Sequence, residues 1–77
     1  MIRKAIGKAV LKYEEGDDPE GYDEPVLGII TNVIPANEIY NEFYEIKWIN
    51  GEEEFYIESE TKQFLNQVKD IKRYANE

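Results

Sequence analysis

The sequence predicts a mainly β fold, a small barrel or strongly bent antiparallel sheet followed by a C-terminal α-helix, and three patterns carry that prediction. Two alternating runs flank Asn50-Gly51, a nearly continuous apolar run from Val26 to Ile34 has a glycine near its middle, and apolar residues recur at helical spacing after Ser59. The chain of 77 residues has room for a single domain, with a β core over about residues 8–58 and a helix over about 60–75. Only about 60% of the unfolded surface can be buried at this size, so no large active-site cleft is expected. An apolar content of 42%, with six Tyr, three Phe and one Trp, is nevertheless enough for a compact core.

The first strand is read at Lys8 to Tyr13, where Ala9, Leu11 and Tyr13 alternate with Lys8, Val10 and Lys12 as in a half-buried strand. From Glu14 to Pro25 the run EEGDDPEGYDEP holds two Gly, two Pro and seven carboxylates with neither helical nor strand period, and reads as a solvated loop. Loops of that length in small domains are often binding elements. Val26 to Ile34 reads as a second strand with Val26, Ile30 and Ile34 on one face and Leu27, Ile29 and Val33 on the other, so both faces call for cover. Gly28 fits such a strand, because a strand glycine marks a bulge, a bend or a close backbone approach. Pro35 ends it.

Asn50-Gly51 is the favoured pair for a two-residue type I′ turn. That turn sets Ile46 opposite Phe55, Trp48 opposite Glu53, Lys47 opposite Glu54 and Tyr44 opposite Ile57. One face then gathers Tyr44, Ile46, Trp48, Phe55 and Ile57. After Ser59, read as the N-cap, Phe64, Leu65, Val68, Ile71 and Ala75 recur at helical spacing and predict a helix from about Glu60 to Tyr74.

The absences bound the chemistry. With no Cys and no His, there is no disulfide framework, no thiolate or imidazole metal site and no histidine base, so the expectation is a non-enzyme with no catalytic residues, no metal and no cofactor. The acids at Glu14 to Glu24 do not follow the spacing of an EF-hand loop and read as a solvated charge run. No apolar stretch approaches the roughly 20 residues needed to span a bilayer, and Met1-Ile2-Arg3-Lys4 does not open a signal peptide. A cytoplasmic protein without a membrane partner is expected.

The net charge of −8 is unevenly spread: residues 1–13 sum to +4, residues 14–60 to −14 and residues 61–77 to +2. Such a field repels phosphate backbones over most of the surface. General affinity for nucleic acid is therefore disfavoured unless the two basic ends converge on one face.

The order of elements, with Gly28-Ile29-Ile30-Thr31 and Val33, then Tyr44-Glu45-Ile46-Lys47-Trp48, then Asn50-Gly51 and Phe55-Tyr56, resembles the small SH3-like barrels encoded by tailed bacteriophages. It is more loosely similar to KOW and Tudor or chromo-type domains. The resemblance covers roughly residues 8–58 and implies an SH3-like small barrel of phage origin, while a fold by itself implies no function. Signalling SH3 domains are a poorer comparison, since the chain has neither a tandem Trp pair nor a Pro-x-Asn-Tyr segment. Tudor-like readers suggest an aromatic cage from among Tyr13, Tyr22, Tyr40, Tyr44, Trp48 and Tyr56, but period-two aromatics are ordinary core residues of strands. Tyr22 differs, standing in a loop with no strand to pack it.

The function expected from these patterns is that of a small interaction module that binds a protein partner with a basic surface. Its contact residues are Tyr22 as a loop aromatic anchor, with Asp17, Asp18, Glu20, Asp23 and Glu24 around it. The alternative is a nucleic-acid or ribonucleoprotein module of KOW type that uses Arg3, Lys4, Lys8, Lys69, Lys72 and Arg73.

Overall fold

The computed structural model describes residues 1–16, 21 and 23–75, with side chains as far as residue 71. Four antiparallel strands follow in chain order, β1 (Ala9–Glu15), β2 (Asp23–Ile34), β3 (Phe43–Trp48) and β4 (Glu53–Ile57), and one helix, α1 (Glu58–Ala75), leaves directly from β4. The sheet is a meander, β1-β2-β3-β4, curled into a half-barrel with the helix packed against it, an architecture consistent with a small SH3-like barrel.

The curl brings the inner face of the sheet around Trp48, Tyr44, Ile46, Ile30 and Val10, all with exposures of 2% or less. Sterics explain Gly28. It lies opposite Trp48 in the ladder, and a Cβ there would stand 2.5 Å from the indole Cε3. The glycine therefore provides close backbone approach, and the irregularity in β2 falls further on. Between Ile30 and Asn32 the register shifts by one residue, which lets Thr31 bulge out, turns Val33 toward the core and leaves Ile34 exposed. The expected grouping of Val26, Ile30 and Ile34 thus fails at its last member. The opposite face is not covered as expected either: Leu27 and Ile29 are 51% and 44% exposed.

The hairpin of β3 and β4 departs from the type I′ expectation. Tyr44 pairs with Tyr56, Ile46 with Glu54 and Lys47 with Glu53, one residue away from the predicted register. Trp48 N–H donates to Glu52 at 2.8 Å, and Gly51 N–H donates back to Trp48 at 3.0 Å, so the loop has three residues, Ile49, Asn50 and Gly51. Only Gly51, at φ +94°, is left-handed; Asn50 instead accepts a bond from Glu52 N–H at 3.0 Å. This is the three-residue hairpin with glycine at the αL position, which competes with the two-residue turn for the same dipeptide. The slip reverses the whole of β4. Ile46 is buried while Phe55 is 54% and Ile57 40% exposed, so the predicted face of five apolar side chains does not exist.

What the slip gains is aromatic and polar packing. Tyr56 now meets Trp48 edge-on at 6.0 Å and Phe64 at 4.9 Å, and Trp48 meets Phe64 at 5.3 Å. Each such pair is worth roughly 0.5–1.5 kcal/mol beyond its buried area. On β1, Val10 and Lys12 turn inward, and Leu11 on the alternate side is buried too. The helix begins two residues before the expected start, which places Ser59 inside its first turn and not at the N-cap. Glu58 and Glu60 in that turn suit the helix dipole, while buried Thr61 donates its hydroxyl to the Ile57 carbonyl at 2.9 Å.

The first seven residues, to which the sequence patterns assign no element, form a plug with Lys8, which precedes β1 instead of opening it. Ile2 and Ala5 are buried in the core, Ile2 N–H donates to the Tyr44 hydroxyl at 2.9 Å, and Gly7 N–H donates to Ile30 at 2.8 Å.

Candidate functional site

The predicted acidic loop is shorter than its sequence suggested, because the strands extend into it from both sides. Glu14 and Glu15 end β1, Asp23 and Glu24 open β2, and Glu14 stands opposite Glu24 while Glu15 stands opposite Asp23. Carboxylates have low strand propensity, but the antiparallel ladder supplies their backbone partners, and tertiary pairing prevails. Two rungs of like charge result, each destabilising in isolation. Of the predicted contact residues, Asp23 and Glu24 thus lie on a strand and not in a loop. Asp17, Asp18, Glu20 and Tyr22 lie outside the described residues. Glu14 and Glu15 join the candidate site, although they are not among the contact residues that the sequence predicts. Their signal was the symmetry of two acids before the glycine-proline segment and two after it.

One turn of strand inward, Lys12 offsets part of this charge. Its Nζ lies 2.6 Å from Glu14, 3.3 Å from Glu52 and 3.3 Å from Glu54, and 4.5 Å above the centre of the Trp48 ring. Burial alone would push the ammonium down, but the carboxylates of Glu14, Glu54 and Glu52 outweigh it and hold Lys12 above the ordinary lysine range. A chain of bonds continues from there. Trp48 Nε1–H donates to the Tyr56 hydroxyl at 3.3 Å, which donates to Glu54 at 2.7 Å. The bond from Tyr56, with Lys12 adding to it against the effect of burial, holds Glu54 below the usual carboxylate range. Burial and the same bond push the Tyr56 phenol up to about 12.

This network settles the place of the aromatics. Tyr44 and Trp48 are core residues, Tyr56 is half-buried between Trp48 and Phe64, and Tyr13 and Tyr40 are exposed. A cation does sit on an aromatic face, but it is the chain's own Lys12. That ammonium is shared among three carboxylates, so the cluster holds its charge in a fixed place.

Comparison with protein-family models, with curated proteins and with solved structures finds no match.

Other concave surfaces lie away from this cluster. On the outer face of the sheet, Leu27, Ile29, Lys47 and Ile49 border an open groove of about 470 Å³. Away from the acidic end, the plug and the helix bring basic residues together: Lys8 and Lys69 line a groove of about 300 Å³ and, with Arg3 and Lys62, an adjoining one of about 310 Å³. The basic ends thus converge in part. Lys4 is exposed outside both grooves, and the side chains of Lys72 and Arg73 lie outside the described ones. Among the described residues, no group of three or more acids is arranged to hold a metal ion, and no helix is long and apolar enough to cross a membrane.

Proposed function

We propose that the chain is a small non-catalytic interaction module, phage-encoded by its resemblance, that binds a basic protein surface through the acidic end of its β1–β2 hairpin. The observation that carries this reading is the pair of like-charge rungs, Glu14 opposite Glu24 and Glu15 opposite Asp23, built into strands. Strand pairing fixes the backbone that carries the four carboxylates before any partner arrives, which lowers the ordering cost of binding. Bringing up a cationic surface relieves repulsion that the free protein must otherwise bear, and the relief is a gain available only in the complex. The acidic block from 14 to 60, fifteen acids against one base, adds long-range attraction that speeds encounter.

The test is a titration of the protein with a labelled Lys/Arg-rich peptide at low and moderate salt, beside a single-stranded oligonucleotide. Peptide binding that weakens with salt and is lost in a Glu14→Gln, Glu15→Gln, Asp23→Asn, Glu24→Gln variant is the expected result. Peptide binding that ignores those four substitutions would move the site elsewhere.

A further inference from the structure

A second surface of opposite charge calls for a second partner. We infer that the groove between the N-terminal plug and α1 is a docking site for a short acidic, amphipathic segment of a partner protein. It is independent of the acidic end: Arg3 and Lys8 come from the start of the chain, Lys62 and Lys69 from the helix, and folding alone brings them around two adjoining grooves that share Lys8, Leu65 and Lys69 and form one cleft.

The occupant follows from three features of the cleft. Its charge is positive, four bases with Lys62 alone ion-paired among the described residues, to Glu58 at 3.3 Å. Between the bases the floor is apolar, built by Leu65 and Val68, both half-buried. A phosphodiester backbone would satisfy the bases, but neither lining holds an aromatic side chain on which a nucleobase could stack, whereas a segment carrying both carboxylates and apolar side chains satisfies both the bases and the floor. The third feature is the surroundings. The chain carries −8 overall, hence −12 outside these four bases. A nucleic acid long enough to run beyond the cleft comes under that repulsion within a Debye length of about 10 Å at 0.1 M salt. A short peptide ends before it gets there.

The experiment uses the full chain and fluorescence anisotropy with three probes: a labelled short peptide alternating Glu and Leu, its Glu→Gln counterpart, and a single-stranded oligothymidylate. The acidic peptide should bind at low salt, and the Gln peptide should bind about tenfold more weakly or worse. Lys8→Glu with Lys69→Glu should weaken the acidic peptide about tenfold as well. Both lysines are exposed, so circular dichroism should show an unchanged fold. Val68→Asp should weaken the peptide again, and Lys47→Gln, on the outer face of the sheet, should change nothing.

Oligothymidylate binding tighter than the peptide would overturn the inference in favour of a phosphate-reading groove. So would peptide binding indifferent to Lys8 and Lys69, or no binding of the acidic peptide at low salt. A Lys/Arg-rich peptide reports on the acidic end alone, so the two surfaces can fail separately.

Discussion

Lys12 shows how one side chain organises an entire end of the molecule. Its side chain is 12% exposed and bonds Glu14 on its own strand as well as Glu52 and Glu54 across the barrel, so it ties the first strand to the last. Replacing it with Met keeps the apolar stem over Trp48 and deletes only the charge, leaving three carboxylates facing one another. The expected cost is about 2 kcal/mol in urea denaturation at neutral pH, below the range for a fully buried pair because the carboxylates are 40–52% exposed and water screens them. The acid limb carries the same signature. Glu54 is held below its unfolded pKa, so its contribution is present above the ordinary carboxylate value and lost as pH falls through the lower, folded one. Lys12→Met should therefore flatten the loss of stability on acidification. At the alkaline end the sign reverses. The Tyr56 phenol is raised from 10.0 to about 12, so its contribution is complete below pH 10.0 and lost as pH rises toward 12. Tyr56→Phe should flatten that limb, and an unchanged alkaline profile would show that the phenol is free of Glu54.

Among the elements, the hairpins decide where the sequence was legible and where it was not. All four strands and the helix were readable from alternation, turn residues and helical spacing, because each pattern is local. The register of β3 and β4 was not, since Asn50-Gly51 serves both a two-residue and a three-residue loop, and the choice is made by distant partners. Trp48, Phe64 and Lys12 reward the arrangement that turns Tyr56 and Glu54 inward. The bulge at Thr31 was hidden for the same reason, as it follows from how β2 must fit β3 and not from its own residues. Two glycines in these hairpins meet different physical demands. Gly51→Val should cost more than about 1 kcal/mol, because a β-branched residue resists φ +94°, and Gly51→Asn should cost less. Gly28→Ala should cost about 2 kcal/mol for a steric reason, since its methyl would fall 2.5 Å from a Trp48 ring that is buried and cannot swing away. Chemical denaturation separates the two, and a stable Gly28→Ala protein would mean that the indole does not lie over β2.

For the whole molecule, charge is segregated by the fold, and only half of that was visible in the sequence. The acidic block was plain from composition, whereas the basic groove depends on the N-terminal plug, whose anchors Ile2 and Ala5 show no period that marks them as core. The cluster of acids on the β1–β2 pair was legible in composition but not in form, because a run of carboxylates reads as loop until a partner strand is known. That form supplies a final prediction in which stability and binding move in opposite directions. Glu24→Lys converts the rung with Glu14 from like to opposite charge, which should stabilise the free protein by about 0.5 kcal/mol. The same change removes an attractive group from the proposed contact, so association with a cationic peptide should slow several-fold and respond less steeply to salt. Thermal denaturation and stopped-flow mixing read the two effects separately. If stability rises while association is unaffected, the rung is only a strained part of the hairpin and the partner binds elsewhere. If stability and association both fall, Glu24 has a structural partner that outweighs its repulsion with Glu14. A rise in stability joined to slower association is the outcome that a surface held under repulsion, and relieved by its partner, requires.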